Sequence, residues 1–250
     1  MEILTVRQES LNKIADTIRA KTQENKQLIF PDEFVSAINK LTQNAKVPDN
    51  AVYQITGWSE EGFPISVKYK IPSNISDNSI PEYAFANQKQ STAIFDKIKN
   101  IDIDGNPTIV NDYAFYNCIF LDSVSCYDDL VEIGVGAFQN TSIIYDHLPP
   151  NVVSIKTSAF NNVHFYFDEI PSTVKSIGGN AFYANNKISS IKFKGTPSFV
   201  SNTGFKTNFL TDIYVPWGEG EVSNAPWGAV NATIHYNTIY DDDGNPIEGV

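Results

Sequence analysis

An Ala-Phe pair recurs along most of this 250-residue chain, at Ala84-Phe85, Ala114-Phe115, Ala137-Phe138, Ala159-Phe160 and Ala181-Phe182, with a weaker copy at Gly204-Phe205. From Phe115 onward the spacings are 23, 22, 22 and 23 residues; the first gap, from Phe85, is 30. No other feature constrains the fold as much. A coil of that length cannot bury its own apolar side, so equivalent residues of successive coils must touch in a stacked solenoid. The small Ala lets the neighbouring backbone pass close, and Phe fills the space between coils, each buried ring contributing about 1.5–3 kcal/mol. An asparagine follows Phe by two positions at Asn87, Asn117, Asn140 and Asn162, and by three at Asn185 and Asn208. That residue suits a bend where its side chain bonds to the backbone. A Pro-x-x-Val-x-x-Ile frame precedes the pair twice, as Pro149, Val152, Ile155 and Pro171, Val174, Ile177.

Aligning the copies on Phe and on the following proline brings out a second pattern. Val124-Ser125-Cys126, Ile143-Ile144-Tyr145, Phe165-Tyr166-Phe167, Ile191-Lys192-Phe193 and Ile213-Tyr214-Val215 fall in register. Each reads as a short strand with period-two alternation. The outer two positions are predicted to face the core. Ser125, Ile144, Tyr166, Lys192 and Tyr214 then face solvent, with Ser123, Ser142, His164, Ser190 and Asp212 one step earlier on the same face. The expectation is a mainly β solenoid of short stacked parallel strands, with a 22–23-residue period and an exposed outer stripe.

The run hydrophobic-x-x-x-Ala-Phe-x-Asn-Cys, as it stands from Ile109 to Cys118, resembles the leucine-rich repeats of the BspA-like type. The similarity spans about residues 76–215. It implies a curved β-solenoid used for adhesion or recognition, and brings no family catalytic residues. The first repeat is long, the last has Gly204 for Ala, and leucine is scarce, so the end coils are expected to depart most from the pattern.

The ends read differently. Ser10 can cap a helix with Leu11, Ile14, Ala15 and Ile18 on one face. After a connection at Asn25 to Ile29, Pro31 fits the first turn of a second helix, with Asp32 and Glu33 near its N-terminus and Phe34, Val35, Ile38 and Leu41 apolar. A short α-helical hairpin is thus predicted over residues 5–41. Residues 11–22, followed by Phe30-Pro31-Asp32-Glu33-Phe34, are similar to the start of minor tail proteins of phages infecting Gram-positive bacteria. The segments Pro216 to Gly220, Ala225 to Ala229 and Asn231 to Tyr236 resemble the C-terminal part of the same tail proteins, and Trp217 and Trp227 are suited to cover the open end of the solenoid. The expected division is 1–45, a helical attachment or oligomerisation segment or else an N-terminal cap; 46–75, a lead-in hairpin of Val52–Thr56 and Ile65–Lys70; 76–236, the solenoid with its C-terminal cap; and 237–250, an acidic tail or linker.

The chain carries 18 basic and 29 acidic residues, a net charge of −11, and every basic residue after Arg19 is a lysine. Phosphate-rich partners want clustered positive charge, so neither nucleic acid nor an anionic membrane is expected. No window has the length of a transmembrane helix, and Met1 to Ala20 lacks the apolar core of a secretory signal. Cys118 and Cys126 form neither a disulfide framework nor a zinc set, and read as small buried fillers. His147, His164 and His235 lie in separate segments without metal spacing. Asn100 to Gly105 imitates the start of a calcium loop, but Asn111 stands where a bidentate Glu is needed, and Ile101 and Ile103 alternate as in a strand. Asp241 to Asn245 fails in the same way at Ile239. No nucleophile elbow, phosphate loop or zinc helix occurs. Scattered carboxylates could pair as in glycosidases, but nothing favours it. No catalytic residue, metal or cofactor is expected.

These readings predict a non-enzymatic phage tail, fibre or baseplate protein, assembled in the host cytoplasm without a signal peptide and carried in the virion tail. Its helices would attach it to other tail or baseplate subunits, and its solenoid would recognise a bacterial surface glycan or protein. Tail proteins are often trimeric, so the resemblance implies a homo-oligomer. Exposed aromatics beside polar groups suit such contacts, which singles out Ile144, His164, Tyr166, Lys192 and Tyr214; otherwise the stripe is a solvated sheet face. Two other classes compete: a purely architectural virion protein, and a bacterial BspA-like surface adhesin exported by another route.

Overall fold

One backbone turn sets the spacing of the repeat. The structure, a computed structural model, describes residues 53–59, 64–71, 75–86, 97–163, 166–241 and 246–247. In successive coils the residue before Ala has a positive φ: Tyr83 (55°), Tyr113 (56°), Gly136 (57°), Ser158 (56°) and Asn180 (55°). Two residues past Phe the chain is left-handed again, at Asn117 (60°), Asn140 (59°), Asn162 (56°) and Ala184 (61°). Between these points every second N–H leaves its own coil. Gly136, Phe138 and Asn140 donate to the carbonyls of Thr157, Ala159 and Asn161 at 2.9, 2.9 and 3.0 Å, while Ala137 and Gln139 fold back on Gly134 and Gly136.

Asparagine recurs here because it tolerates the left-handed region better than most residues with a Cβ. Its side chain bonds to its counterparts instead of to its own bend. The Asn140 amide donates to Asn117 Oδ1 at 2.6 Å, and that of Asn162 donates to Asn140 Oδ1 at 2.9 Å. Asn140→Ala is expected to cost about 1–2 kcal/mol, from the lost amide bonds and the strained backbone. Asn140→Gly should cost less, because glycine adopts the 59° φ freely. Urea denaturation of the two variants checks this; equal losses would mean that the amide chain alone matters.

In chain order the first strands are β1 (Tyr53–Trp58), β2 (Pro64–Lys70), β3 (Asn100–Asp104), β4 (Ile109–Val110), β5 (Ser123–Val124), β6 (Glu132–Ile133), β7 (Ser154–Ile155) and β8 (Glu169–Ile170). They continue with β9 (Ser176–Ile177), β10 (Ser190–Phe193), β11 (Phe199–Val200), β12 (Asp212–Tyr214), β13 (Thr233–His235), β14 (Ile239–Tyr240) and β15 (Pro246–Ile247). One side of the solenoid is a long parallel ladder, β4-β6-β7-β9-β11. It is built on the apolar residue five before Phe: Val110, Ile133, Ile155, Ile177 and Val200, all fully buried, with Ile80 bridging to Val110. Inside, Phe85, Phe115, Phe138, Phe160, Phe182 and Phe205 are at most 1% exposed. Their rings stack with centroids 5.0–5.8 Å apart and planes within 13° of parallel.

The opposite side departs from the single parallel sheet expected there. It is split into an N-terminal sheet, β1-β2-β3-β5, and a C-terminal sheet, β8-β10-β12-β13. Tyr145 causes the break. Its hydroxyl accepts from Val124 N–H at 3.0 Å and donates to the Val124 carbonyl at 2.8 Å, taking both groups that the next strand would need. Residues 143–145 accordingly form no strand. Beyond the gap, the predicted register holds between β10 and β12, where Ile191 pairs with Ile213 and Lys192 with Tyr214. It slips by three residues at β8: Lys192 lies opposite Glu169, not Tyr166. Phe167 and Ile170 are both buried, so either register supplies an apolar residue to the core. The observed register sets Asp168 and Glu169 against Lys192 and Lys194, at 3.1 and 3.0 Å.

Each end of the ring stack is closed by aromatics. Tyr53 and Tyr69, on the antiparallel pair β1–β2, pack on Phe85 with centroids 5.5 and 5.0 Å away. At the other end Trp217 and Trp227 are buried against Phe193 at 5.2 and 5.7 Å. Asn100–Asp104 is a strand with Ile101 and Ile103 in the core. The stretch expected as an acidic tail carries the small antiparallel hairpin β14–β15. The helical hairpin expected over 5–41 lies outside the described residues.

Candidate ligand-binding face

The split sheet divides the predicted stripe. Ile144 and Tyr166, in consecutive coils beside the gap, are 70% and 65% exposed. Lys192 and Tyr214 point outward from the C-terminal sheet, as the alternation predicts, but both are engaged there. The Lys192 side chain is only 16% exposed and is held by Asp168. The Tyr214 ring stacks on His235, centroids 4.4 Å and planes 12° apart, and His235 Nε2 contacts Asp212 Oδ1 at 2.9 Å. Tyr240 of β14 covers the ends of β10 and β12: its hydroxyl donates to the carbonyls of Phe193 and Tyr214 at 3.2 and 3.3 Å, and Lys194 lies 4.3 Å over its ring. Burial there pushes the Tyr240 hydroxyl up to about 12. His164 lies outside the described residues. Beside the gap, Ser66, Asn100, Asp102, Ser123, Ser125 and Tyr145 line a shallow groove of about 210 Å³. That is smaller than the roughly 300–1,000 Å³ of drug-sized sites.

A charged cluster flanks this region. His147 Nδ1 lies 2.9 Å from Asp146 Oδ1 and its Nε2 2.9 Å from Asp128 Oδ1. Two carboxylates facing the two nitrogens favour a proton on each, so Asp146, and then Asp128, hold the imidazole above its ordinary value of 6.5. A raised folded value stabilises fully below 6.5, and that contribution is lost as pH rises through the folded value. The partners are largely exposed, so the effect on stability is small. An NMR titration is expected to place the His147 midpoint above 6.5, and Asp146→Asn to move it down. An unmoved midpoint would contradict the pairing.

A feature absent from the predicted stripe lies on the Ala-Phe turns. Tyr83 and Tyr113, each directly before Ala, stack with centroids 5.1 Å and planes 10° apart, and Tyr116 meets Tyr113 edge-on at 5.7 Å. The shared offset of Tyr83 and Tyr113 from Phe is visible in the sequence; their left-handed backbone is not.

Both cysteines are buried: Cys118 Sγ donates to the Phe85 carbonyl at 3.1 Å, and burial pushes the Cys126 thiol up to about 12. Among the described residues no group of three His, Cys, Asp or Glu side chains is placed to hold a metal ion. No helix among them is long and apolar enough to cross a membrane.

Stacked coils of 22–23 residues with parallel ladders and a Phe core define a leucine-rich-repeat solenoid. The chain belongs to the BspA-type leucine-rich-repeat family, six copies of which match residues 78–211. Among solved structures it is similar to a leucine rich cell surface protein from Faecalibacterium prausnitzii A2-165, with 18% identity and a TM-score of 0.52. That match covers 82% of this chain, which spans 61% of the other. No curated protein matches the sequence significantly.

Proposed function

We propose that this chain is a non-enzymatic recognition module whose solenoid engages a bacterial surface ligand, carried as a phage tail, fibre or baseplate component. The observation behind the recognition role is the exposure of Ile144 and Tyr166 in consecutive coils beside the gap, which at 70% and 65% are among the most exposed large apolar side chains of the described residues. The virion setting is supported by the likeness of residues 11–34 and 216–236 to phage tail proteins, with segment 1–45 joining neighbouring subunits. Ile144→Ala combined with Tyr166→Ala is expected to weaken cell binding about tenfold or more, with stability within about 0.5 kcal/mol of the parent. Undiminished binding would sink this site. Tyr214 is a poorer target, because its truncation also removes the stack on His235.

A second reading, a cellular adhesin, is favoured by the fold shared with a leucine rich cell surface protein. Antibody detection of the chain in purified virions, or in the walls of the producing cell, decides between the two.

A further inference from the structure

We propose that Tyr83, Tyr113 and Tyr116 form a sugar-stacking surface on the turn edge of the solenoid, taking a neutral or amino-substituted pyranose chain. This rests on the recognition reading above, and gives it a ligand class and a second contact away from the strand face. The three rings form one cluster, with the stacked pair running from coil to coil. It ends on Gly136, where a Cβ would sit 2.7 Å from Tyr113 Cε1, so the missing side chain makes room for that ring. Tyr83 and Tyr113 hold φ values of 55° and 56°, a region that bulky residues avoid. Later coils place Gly136, Ser158 and Asn180 at the same position, so the turn does not require an aromatic. Nor does the core, since Tyr83 is 41% exposed. Ser158 and Asn180 hold the same left-handed φ with small side chains, so the bulky rings of Tyr83 and Tyr113 depart from what the turn itself selects.

The ligand class follows from the chemistry of the rings and their surroundings. Tyr113 lies between Tyr83 and Gly136, so the exposed Tyr83 ring at the end of the stack offers the flat apolar face, and hydroxyls at the rim match the hydroxyl edge of a pyranose. The local charge disfavours a phosphate-bearing polymer. Desolvation, and then the charge of Glu82 with contributions from Tyr113 and Asp112, holds the Tyr83 hydroxyl above its ordinary range. Lys156, which also feels Asp112, is engaged by Glu132 at 2.6 Å. An anionic chain would meet the charge of Glu82 and Asp112 here, whereas a neutral or amino sugar would not be repelled by it.

The test compares the full chain with Tyr83→Asn/Tyr113→Asn, asparagine being the residue that the coil of Phe182 uses at this position. Both are labelled and titrated onto isolated Gram-positive walls, intact, protease-stripped, and in the presence of soluble polyglycerol phosphate. The parent is expected to bind protease-stripped walls undiminished and to resist the phosphate polymer. The variant is expected to bind about tenfold more weakly at an unchanged or higher Tm. Variant binding equal to the parent's overturns the tyrosine site, and so does weaker binding with a marked fall in Tm, which assigns the rings to packing. Loss of parent binding on protease treatment, or competition by polyglycerol phosphate, overturns the sugar class. A parent that binds no wall defeats the recognition reading itself.

Discussion

Phe160→Ala is expected to lower stability by about 3–5 kcal/mol, the largest loss from any single truncation at the repeat motif. Phe160 is fully buried midway along the stack, between Phe138 at 5.4 Å and Phe182 at 5.8 Å. The cavity cannot collapse easily, because the backbone on both sides is fixed by hydrogen bonds between coils: Phe160 N–H donates to the Ala181 carbonyl, and Phe138 N–H to that of Ala159, both at 2.9 Å. At roughly 2–4 °C per kcal/mol for a chain of this size, Tm should fall by about 10 °C. Solenoids couple mainly to nearest neighbours, so the unfolding transition should also broaden as the flanking coils separate. Phe160→Leu keeps most of the volume and should cost less than half as much. Urea denaturation of both variants measures this; a loss below about 1 kcal/mol for the alanine variant would contradict a ring-stacked core.

Gly178→Ala should cost at least about 2 kcal/mol, although it adds only a methyl group. Its Cβ would sit 2.6 Å from the Lys156 carbonyl carbon and closer still to Thr157 N, which are backbone atoms of the preceding coil. They cannot retreat without breaking the bonds that hold the two coils together, such as Gly178 N–H to the Ile155 carbonyl at 2.8 Å. Gly134 meets Asn111 and Asp112 in the same way, at 2.6 Å. Gly204→Ala is the control. It restores the Ala of the other repeats, its Cβ would meet Ser201 O, Ile177 and Val200 at 3.3–3.4 Å, and it should lie within about 1 kcal/mol of neutral. Thermal unfolding of the pair checks the contrast; a neutral Gly178→Ala would mean that the coils are farther apart than described.

The solenoid was legible because every coil repeats the same contacts at the same offset from Phe. The ladder of Val110, Ile133, Ile155, Ile177 and Val200 follows that rule too, but two-residue strands carry no alternation to detect. Tyr145 was misleading for a physical reason. Alternation marks it as one more core residue, and only the folded chain brings its hydroxyl to both polar groups of Val124. The slip at Glu169 was equally hidden, since Phe167 and Ile170 fit the core equally well. At the candidate site, alternation oriented Lys192 and Tyr214 correctly. Their partners come from elsewhere: Asp168 from another coil, His235 from the cap, and Tyr240, over the ends of their strands, from the terminal hairpin.

The most direct test of the central claim is a binding isotherm of the labelled full chain on whole cells and isolated walls from a panel of Gram-positive strains. Saturable binding confined to some strains is the expected result, and would establish the solenoid as a recognition module. Absence of binding to every strain, or equal unsaturable binding to all of them, would contradict that role and leave the repeats as a spacer within a larger assembly.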